Sequence, residues 1–213
     1  MLDLDLDLFR GLTPPGRTPQ EAPPRRRPRI VAIGGSTRPG SSAELALRVA
    51  ADAAEDAGAE LTFITGRELM LPIYDTESDH RTPDALRLVE AVRRADGVLL
   101  ASPGYHGALS GLVKNAIDYL EDLREDDRPY LDGRAVGCIA IAYGWQASVT
   151  TLQQLRQVTH ALRGWPTPQG CSVNASLGPV TGPSQESGFA QLRVAGRQVV
   201  EFAHLKASLS ETI

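Results

Sequence analysis

Cysteine is nearly absent from this chain of 213 residues: only Cys138 and Cys171 occur, each inside an apolar stretch. Two isolated thiols supply neither a disulfide framework nor the paired ligands of a zinc site, so they are read as buried thiols in a reducing compartment. Long apolar runs are missing as well. The longest, such as the one ending at Ala142, fall far short of the roughly 18 residues that a membrane span requires. Neither sign of charge is in large excess: 22 basic and 26 acidic side chains leave a net charge of −4. That balance provides no whole-chain attraction to nucleic acid or anionic lipid. The stretch at residues 1–11, MLDLDLDLFRG, has neither the basic leader nor the apolar core of a secretory signal. The expectation is a cytoplasmic protein with no nucleic-acid partner and no membrane partner.

What is present is an ordinary globular composition, 42% apolar and 23% charged, enough for one α/β-sized domain with a real core. Residues 1–28 hold Pro14, Pro15, Pro19, Pro23, Pro24 and Pro28 and the run Arg25-Arg26-Arg27, ahead of any sustained periodicity. This describes a proline- and arginine-rich arm, followed by a single domain at 29–213. The basic run has no interleaved aromatics, which favours a solvated linker over a phosphate contact. Leu2, Leu4, Leu6 and Leu8 recur with strand period, which leaves open whether the tip lies on a neighbouring subunit.

From Arg29 onward short β-rich runs alternate with helical ones. Strands are expected at 29–35, 59–65, 97–102, 135–142 and 169–175, and helices near 43–57, 82–95, 110–123, 146–163 and 185–208. Alternation of this kind builds βαβ units with right-handed crossovers, hence an open five-stranded parallel sheet covered by helices on both faces.

The first strand runs into Gly34-Gly35-Ser36-Thr37-Arg38-Pro39-Gly40-Ser41-Ser42, and helical periodicity begins at Ala43. A strand, a glycine- and hydroxyl-rich loop and a helix start together place unpaired N–H groups and a positive dipole end around an anion. The dinucleotide spacing G-x-G-x-x-G is absent. The nucleotide-triphosphate loop is approached, but Ser41 stands where its lysine belongs, which argues against ATP or GTP. A loop with hydroxyls at Ser36, Thr37, Ser41 and Ser42 and one guanidinium at Arg38 suits a single terminal phosphomonoester. The plainer reading, a polar turn capped by Ser41 or Ser42, needs fewer of these groups than are present.

A second loop, Ser102-Pro103-Gly104-Tyr105-His106-Gly107, follows the third strand and faces the same pocket. Its glycines admit a flat ligand closely, and Tyr105 and His106 bring aromatic surface with polar tips, which suits a planar heterocycle. His106 reads equally well as a surface or packing residue. A third loop carries Tyr143-Gly144-Trp145 at the end of the fourth strand, where Trp145 either lines the pocket or packs in the core or at an interface.

The glycine and hydroxyl loop at 34–42, the segment Ser102-Pro103-Gly104-Tyr105-His106-Gly107 with Ser110-Gly111 and Lys114-Asn115-Ala116-Ile117-Asp118 after it, and five βα units resemble the NADPH-dependent FMN reductase family over about residues 29–180. That family also includes azo-dye, quinone and chromate reductases. The resemblance implies a flavodoxin-like three-layer α/β sandwich with strand order 2-1-3-4-5. It implies FMN as cofactor and NADPH or NADH as reductant, and a homodimer or homotetramer. By motif match Ser36, Arg38 and Ser41 hold the FMN phosphate, with Thr37 and Ser42 beside them. Pro103, Gly104, Tyr105, His106 and Gly107 follow the ring and ribityl chain, and Tyr143, Gly144 and Trp145 form the third loop. The family's frequent asparagine falls on Ala43, and its P-E-Y-N reads Pro103-Gly104-Tyr105-His106 here.

The implied activity is hydride transfer from NAD(P)H to the flavin, then electron transfer to free flavin, a quinone or a similar small-molecule electron acceptor. The flavin carries the chemistry, so no catalytic side chain and no metal are expected. Two alternatives stand beside it: a dedicated dehydrogenase of one small cyclic metabolite, and a non-enzymatic flavodoxin-type electron carrier, which the modest net charge disfavours.

Overall fold

The computed structural model describes residues 26–210. Alternation along the strands decides the layering. In β1 (Arg29–Gly34) Ile30 and Ala32 join one buried cluster, while Val31 and Ile33 join the other. β3 (Gly97–Tyr105) and β5 (Ala135–Ala142) divide likewise: Leu99, Ala101, Ile139 and Ile141 face one side, Val98, Leu100, Cys138 and Ala140 the other. A strand covered on both faces needs apolar residues at every position, which is why β5 reads as an unbroken apolar run.

The first face is closed by α1 (Ser42–Asp56) and α5 (Glu186–Ser210), the second by α2 (Pro83–Arg94), α3 (Gly111–Asp118) and α4 (Trp145–Ala161). β2 (Glu60–Thr65) forms one edge, beside β1. The order is β2-β1-β3-β5, and the next position is shared by β6 (Trp165–Pro166) and β7 (Cys171–Asn174), which pair in parallel with the start and the end of β5. Among the described residues seven strands stand where five were expected: the expected strand at 169–175 is β7, β6 is an additional short segment ahead of it, and β4 (Ala108–Leu109) folds back antiparallel onto β3. The helix expected at 110–123 likewise ends at Asp118 and tightens into a 3-10 turn at Tyr119–Leu123.

Capping follows the sequence. Ser41, Thr82 and Ser110 each accept a hydrogen bond from the third amide of α1, α2 and α3, and Pro83 occupies the first turn of α2. Cys138 and Cys171 are buried free thiols, and burial pushes them up to about 11 and about 12, so they stay protonated at neutral pH.

The expected arm lies outside the described residues as far as residue 25, and so does the Asp/Leu tip. Of the basic run, Arg26 donates to Asp96 Oδ1 at 2.9 Å and Arg27 to Ala59 O at 2.6 Å, both at the amino end of the sheet. Among the described residues no helix is long and apolar enough to cross a membrane.

Candidate functional site

Because β2 and β3 lie on opposite sides of β1, the carboxyl end of β1 is the point where the chain's winding reverses. Crevices in doubly wound sheets open there. A cleft of about 470 Å³ lies at this point, and residues from all three loops line it.

The loop leaving β1 passes very close to β3. A Cβ at Gly34 would lie 2.0 Å from the carbonyl oxygen of Ala101, and the residue has φ +142°, so only glycine fits. Beyond it the loop amides divide into spent and unspent. Gly35 donates to Ala101 O, Arg38 to Ser36 Oγ and Ser41 to Arg38 O, each at 3.3 Å; Gly40 donates to Glu44 Oε2 at 3.0 Å. The amides of Ser36, Thr37, Ser42 and Ala43 have no such partner among the described residues. Ser36, Thr37, Arg38, Ser41, Ser42 and Ala43 all line the cleft, and Arg38 is its one formally charged lining side chain. Its guanidinium is exposed and has no carboxylate partner among the described residues. A helix N-terminus, free amides, hydroxyls and one free cation form a cradle for a small anion.

The second loop is a tight hairpin. Tyr105 pairs with Ala108, and the two residues between them, His106 (φ +53°) and Gly107 (φ +82°), both adopt left-handed backbone, the geometry of a type I′ turn. Gln154 of α4 clamps the hairpin, donating to Gly107 O at 3.1 Å and accepting from Leu109 N at 3.1 Å. Ser102 Oγ accepts from Ser110 N at 2.9 Å. Pro103, Gly104 and Tyr105 are thereby fixed in the cleft wall, whereas His106 and Gly107, at the tip, do not line it. A Cβ at Gly104 would lie 2.7 Å from Thr151 Oγ1, so this glycine lets α4 approach the hairpin. Thr151 Oγ1 is the one buried side-chain polar atom without a hydrogen-bond partner among the described residues.

In the third loop Tyr143 is 81% exposed and lines the cleft. Gly144 is the N-cap of α4 and offers no side-chain bond, leaving that helix's first amides uncapped. Trp145 opens the helix and is 53% exposed, and neither it nor Gly144 lines the cleft. Sequence reading missed Ala43, Ile141, Ala142, Ala147 and Ala175, which complete the wall. Small apolar side chains carry no chemical signature. The available signal was position, since they stand at the ends of β5 and β7 or in the first turn of the helix that follows. Neither cysteine lines the cleft.

The sequence and structure have known counterparts. A model of the family described as NADPH-dependent FMN reductase matches residues 28–177. Over 128 residues the chain is 30% identical to an NADPH azoreductase of Bacillus sp. (strain OY1-2), covering 60% of this chain and 66% of that protein, just under two thirds of the relative's length. An oxidoreductase from Corynebacterium diphtheriae matches the structure with a TM-score of 0.67 at 17% identity, covering 85% of this chain and 99% of that one. A WrbA-like flavodoxin from Agrobacterium tumefaciens matches with a TM-score of 0.58 at 18% identity, covering 84% and 99%. At such identities the structures speak to the fold, which is flavodoxin-like. The family match takes in all three cleft loops and most of the chain, and the chain belongs to the NADPH-dependent FMN reductase family.

Proposed function

We propose that this protein holds FMN in the cleft and passes electrons from NADPH or NADH through it to a small acceptor such as free flavin, a quinone or an azo compound. The observation that carries this reading is the unspent cradle at the start of α1, with the Arg38 guanidinium free of a partner among the described residues, opening into a cleft with mostly apolar walls and two tyrosines. The donor set fits the group. Ser36, Thr37, Ser41 and Ser42 bind the phosphate with the amides of Thr37, Ser42 and Ala43, and Arg38 neutralises it. Each charge-assisted hydrogen bond contributes about 1.5–3 kcal/mol.

FMN, when bound, supplies the hydride and electron chemistry. The protein orients and shields. Pro103, Gly104 and Tyr105 bound the ring on a hairpin that Gln154 keeps rigid, and Tyr143 covers the opposite approach. His106 and Gly107 act by making the turn, and Gly144 by leaving the α4 amides open toward an electron-rich ring. Trp145 faces outward. With Tyr143 and Val149 it forms exposed apolar surface beside the cleft, which supports a second subunit there and hence a homodimer or homotetramer. The reading includes a cytoplasmic location and a domain at 29–213 preceded by an arm.

The test is an absorbance spectrum of the purified full chain reconstituted with FMN, recorded under nitrogen before and after NADPH. Flavin bands that bleach on addition of NADPH and return with a quinone are expected. A chain that retains no flavin, or whose bands do not respond to either nicotinamide, overturns the reading.

A further inference from the structure

One carboxylate stands directly behind the phosphate cradle, next in the chain to Ala43 and outside the cleft lining. Glu44 is the third residue of α1, and its Oε2 accepts the Gly40 amide at 3.0 Å, so one loop N–H is spent on the protein's own anion. Its Cβ stands 3.5 Å from the position a Cβ would take at Gly35, which places the residue against the opposite limb of the loop. The other oxygen, Oε1, pairs with Arg48 at 2.9 Å through Nη2 and 3.2 Å through Nε. Arg48 in turn lies over the Phe63 ring, 5.2 Å from its centroid. The carboxylate is the better shielded partner, with a side-chain exposure of 14% against 50% for Arg48.

A negative charge at a helix N-terminus is favourable in the ligand-free protein, because it meets the dipole and satisfies an amide. It stands, however, one and two residues from Ala43 and Ser42, whose amides are open and which line the cleft, so its charge opposes that of a phosphate held there. A phosphomonoester carries about −1.5 to −2 charge at neutral pH. Arg48 masks the carboxylate only in part, since its exposed guanidinium is screened by solvent.

We propose that Glu44, held between the Gly40 amide and Arg48, is the residue that limits how tightly the cradle holds a dianionic phosphate. This rests on the functional reading above and deepens it by naming the residue that sets the phosphate affinity. Arg38 attracts the phosphate and Glu44 repels it. Riboflavin, which has no phosphate, does not sense Glu44.

The experiment is an equilibrium titration of the flavin-free full chain with FMN and with riboflavin, followed by quenching of flavin fluorescence at low and high salt. Glu44→Gln keeps an acceptor for Gly40 while removing the charge. It is expected to tighten FMN by roughly three- to tenfold, with a steeper salt dependence, and to leave riboflavin within twofold. Arg48→Gln unmasks the carboxylate and is expected to weaken FMN by about threefold, again sparing riboflavin. Should E44Q fail to fold, R48Q carries the test alone. A role for Glu44 as a mere loop clamp predicts that E44Q weakens both flavins or neither. That result, or FMN binding unmoved or tightened in R48Q, overturns the inference. If the unaltered chain binds FMN while E44Q changes nothing, only the role of Glu44 falls. If it binds no FMN, the functional reading falls and takes this inference with it.

Discussion

The two ends of the sheet treat the same physical problem in opposite ways. At the amino end the backbone groups left over by helices and turns are satisfied from within. Arg134, only 1% exposed, donates through Nε to Ala95 O at 3.1 Å, through Nη1 to Tyr130 O and Asp132 O at 3.1 and 3.3 Å, and through Nη2 to Arg93 O at 2.9 Å. Two of these carbonyls close α2, so the cation meets the negative end of that helix dipole. Burial still holds the guanidinium down, to about 10, because no carboxylate answers it directly. Asp96 adds a second clamp, accepting the Arg29 amide at 2.7 Å and Arg26 Nη2 at 2.9 Å. At the carboxyl end the amides that begin α1 and α4 are left open and the side chains around them are small. One end of the molecule is finished by its own side chains, and the other is completed by a ligand.

This contrast can be broken at either end. The largest effect is expected from Arg134→Met, which strips a buried donor from four carbonyls and should cost about 3–5 kcal/mol of stability. For a domain of this size that is on the order of a 10 °C fall in Tm by calorimetry, with FMN affinity of the folded protein unchanged within twofold. An unchanged Tm would show that the amino end does not depend on the clip. Next comes Arg38→Ala at the open end, expected to weaken FMN by about 2–4 kcal/mol by titration while sparing riboflavin and leaving Tm nearly unmoved. Equal losses for both flavins would remove Arg38 from the phosphate.

The smallest effect concerns the flank between the two ends. There Asp122 receives Arg81 Nε at 2.7 Å and Nη2 at 2.8 Å, together with the Tyr74 hydroxyl at 3.2 Å. The Arg81 hydrogen bonds hold the Asp122 carboxyl below its ordinary value. A depressed carboxyl stabilises the fold above its unfolded pKa, about 3.9, and that contribution is lost as pH falls through the lower folded value. Asp122→Asn should therefore cost roughly 1 kcal/mol in urea unfolding at pH 7, and the gap to the unaltered chain should narrow below about pH 4. A gap independent of pH would show that the pair acts by packing alone.

How much of this was legible beforehand follows the range of the interactions. The phosphate loop could be read because its chemistry is local. Glycine, hydroxyl and guanidinium stand within nine consecutive positions of a strand-to-helix turn, Gly34 to Ser42, and the helix that follows fixes where their amides point. The strand order came from the family resemblance, and the alternating periodicity supported the parallel sheet beneath it. His106 was ambiguous for a physical reason: a left-handed turn residue and a ligand-facing residue can have the same side chain, and only the pairing of Tyr105 with Ala108 separates the two roles. The two-residue segment β6 was missed for a different reason, since Trp165–Pro166 is too short to show a period and pairs only with the start of β5. Thr167 still donates its amide to Val136 O at 2.9 Å, and the ladder is lost at Pro168, which has no N–H to give it, with Gly170 just beyond and the Thr167 hydroxyl on Gln169 O at 2.9 Å.

By itself the sequence determined the alternation of strands and helices, the apolar character of strands covered on both faces, the caps, and the loop whose donors suit a phosphate. Each depends on residues within a turn or two of one another, or on the residue types that a given burial requires. The tertiary structure alone decided which loop amides remain free, that Glu44 spends one of them, that alanines from four separate elements make the cleft wall, and that Arg134 closes the opposite end. Those outcomes join groups distant in the chain, and the contacts that fix them exist only once the sheet has assembled and its helices have docked.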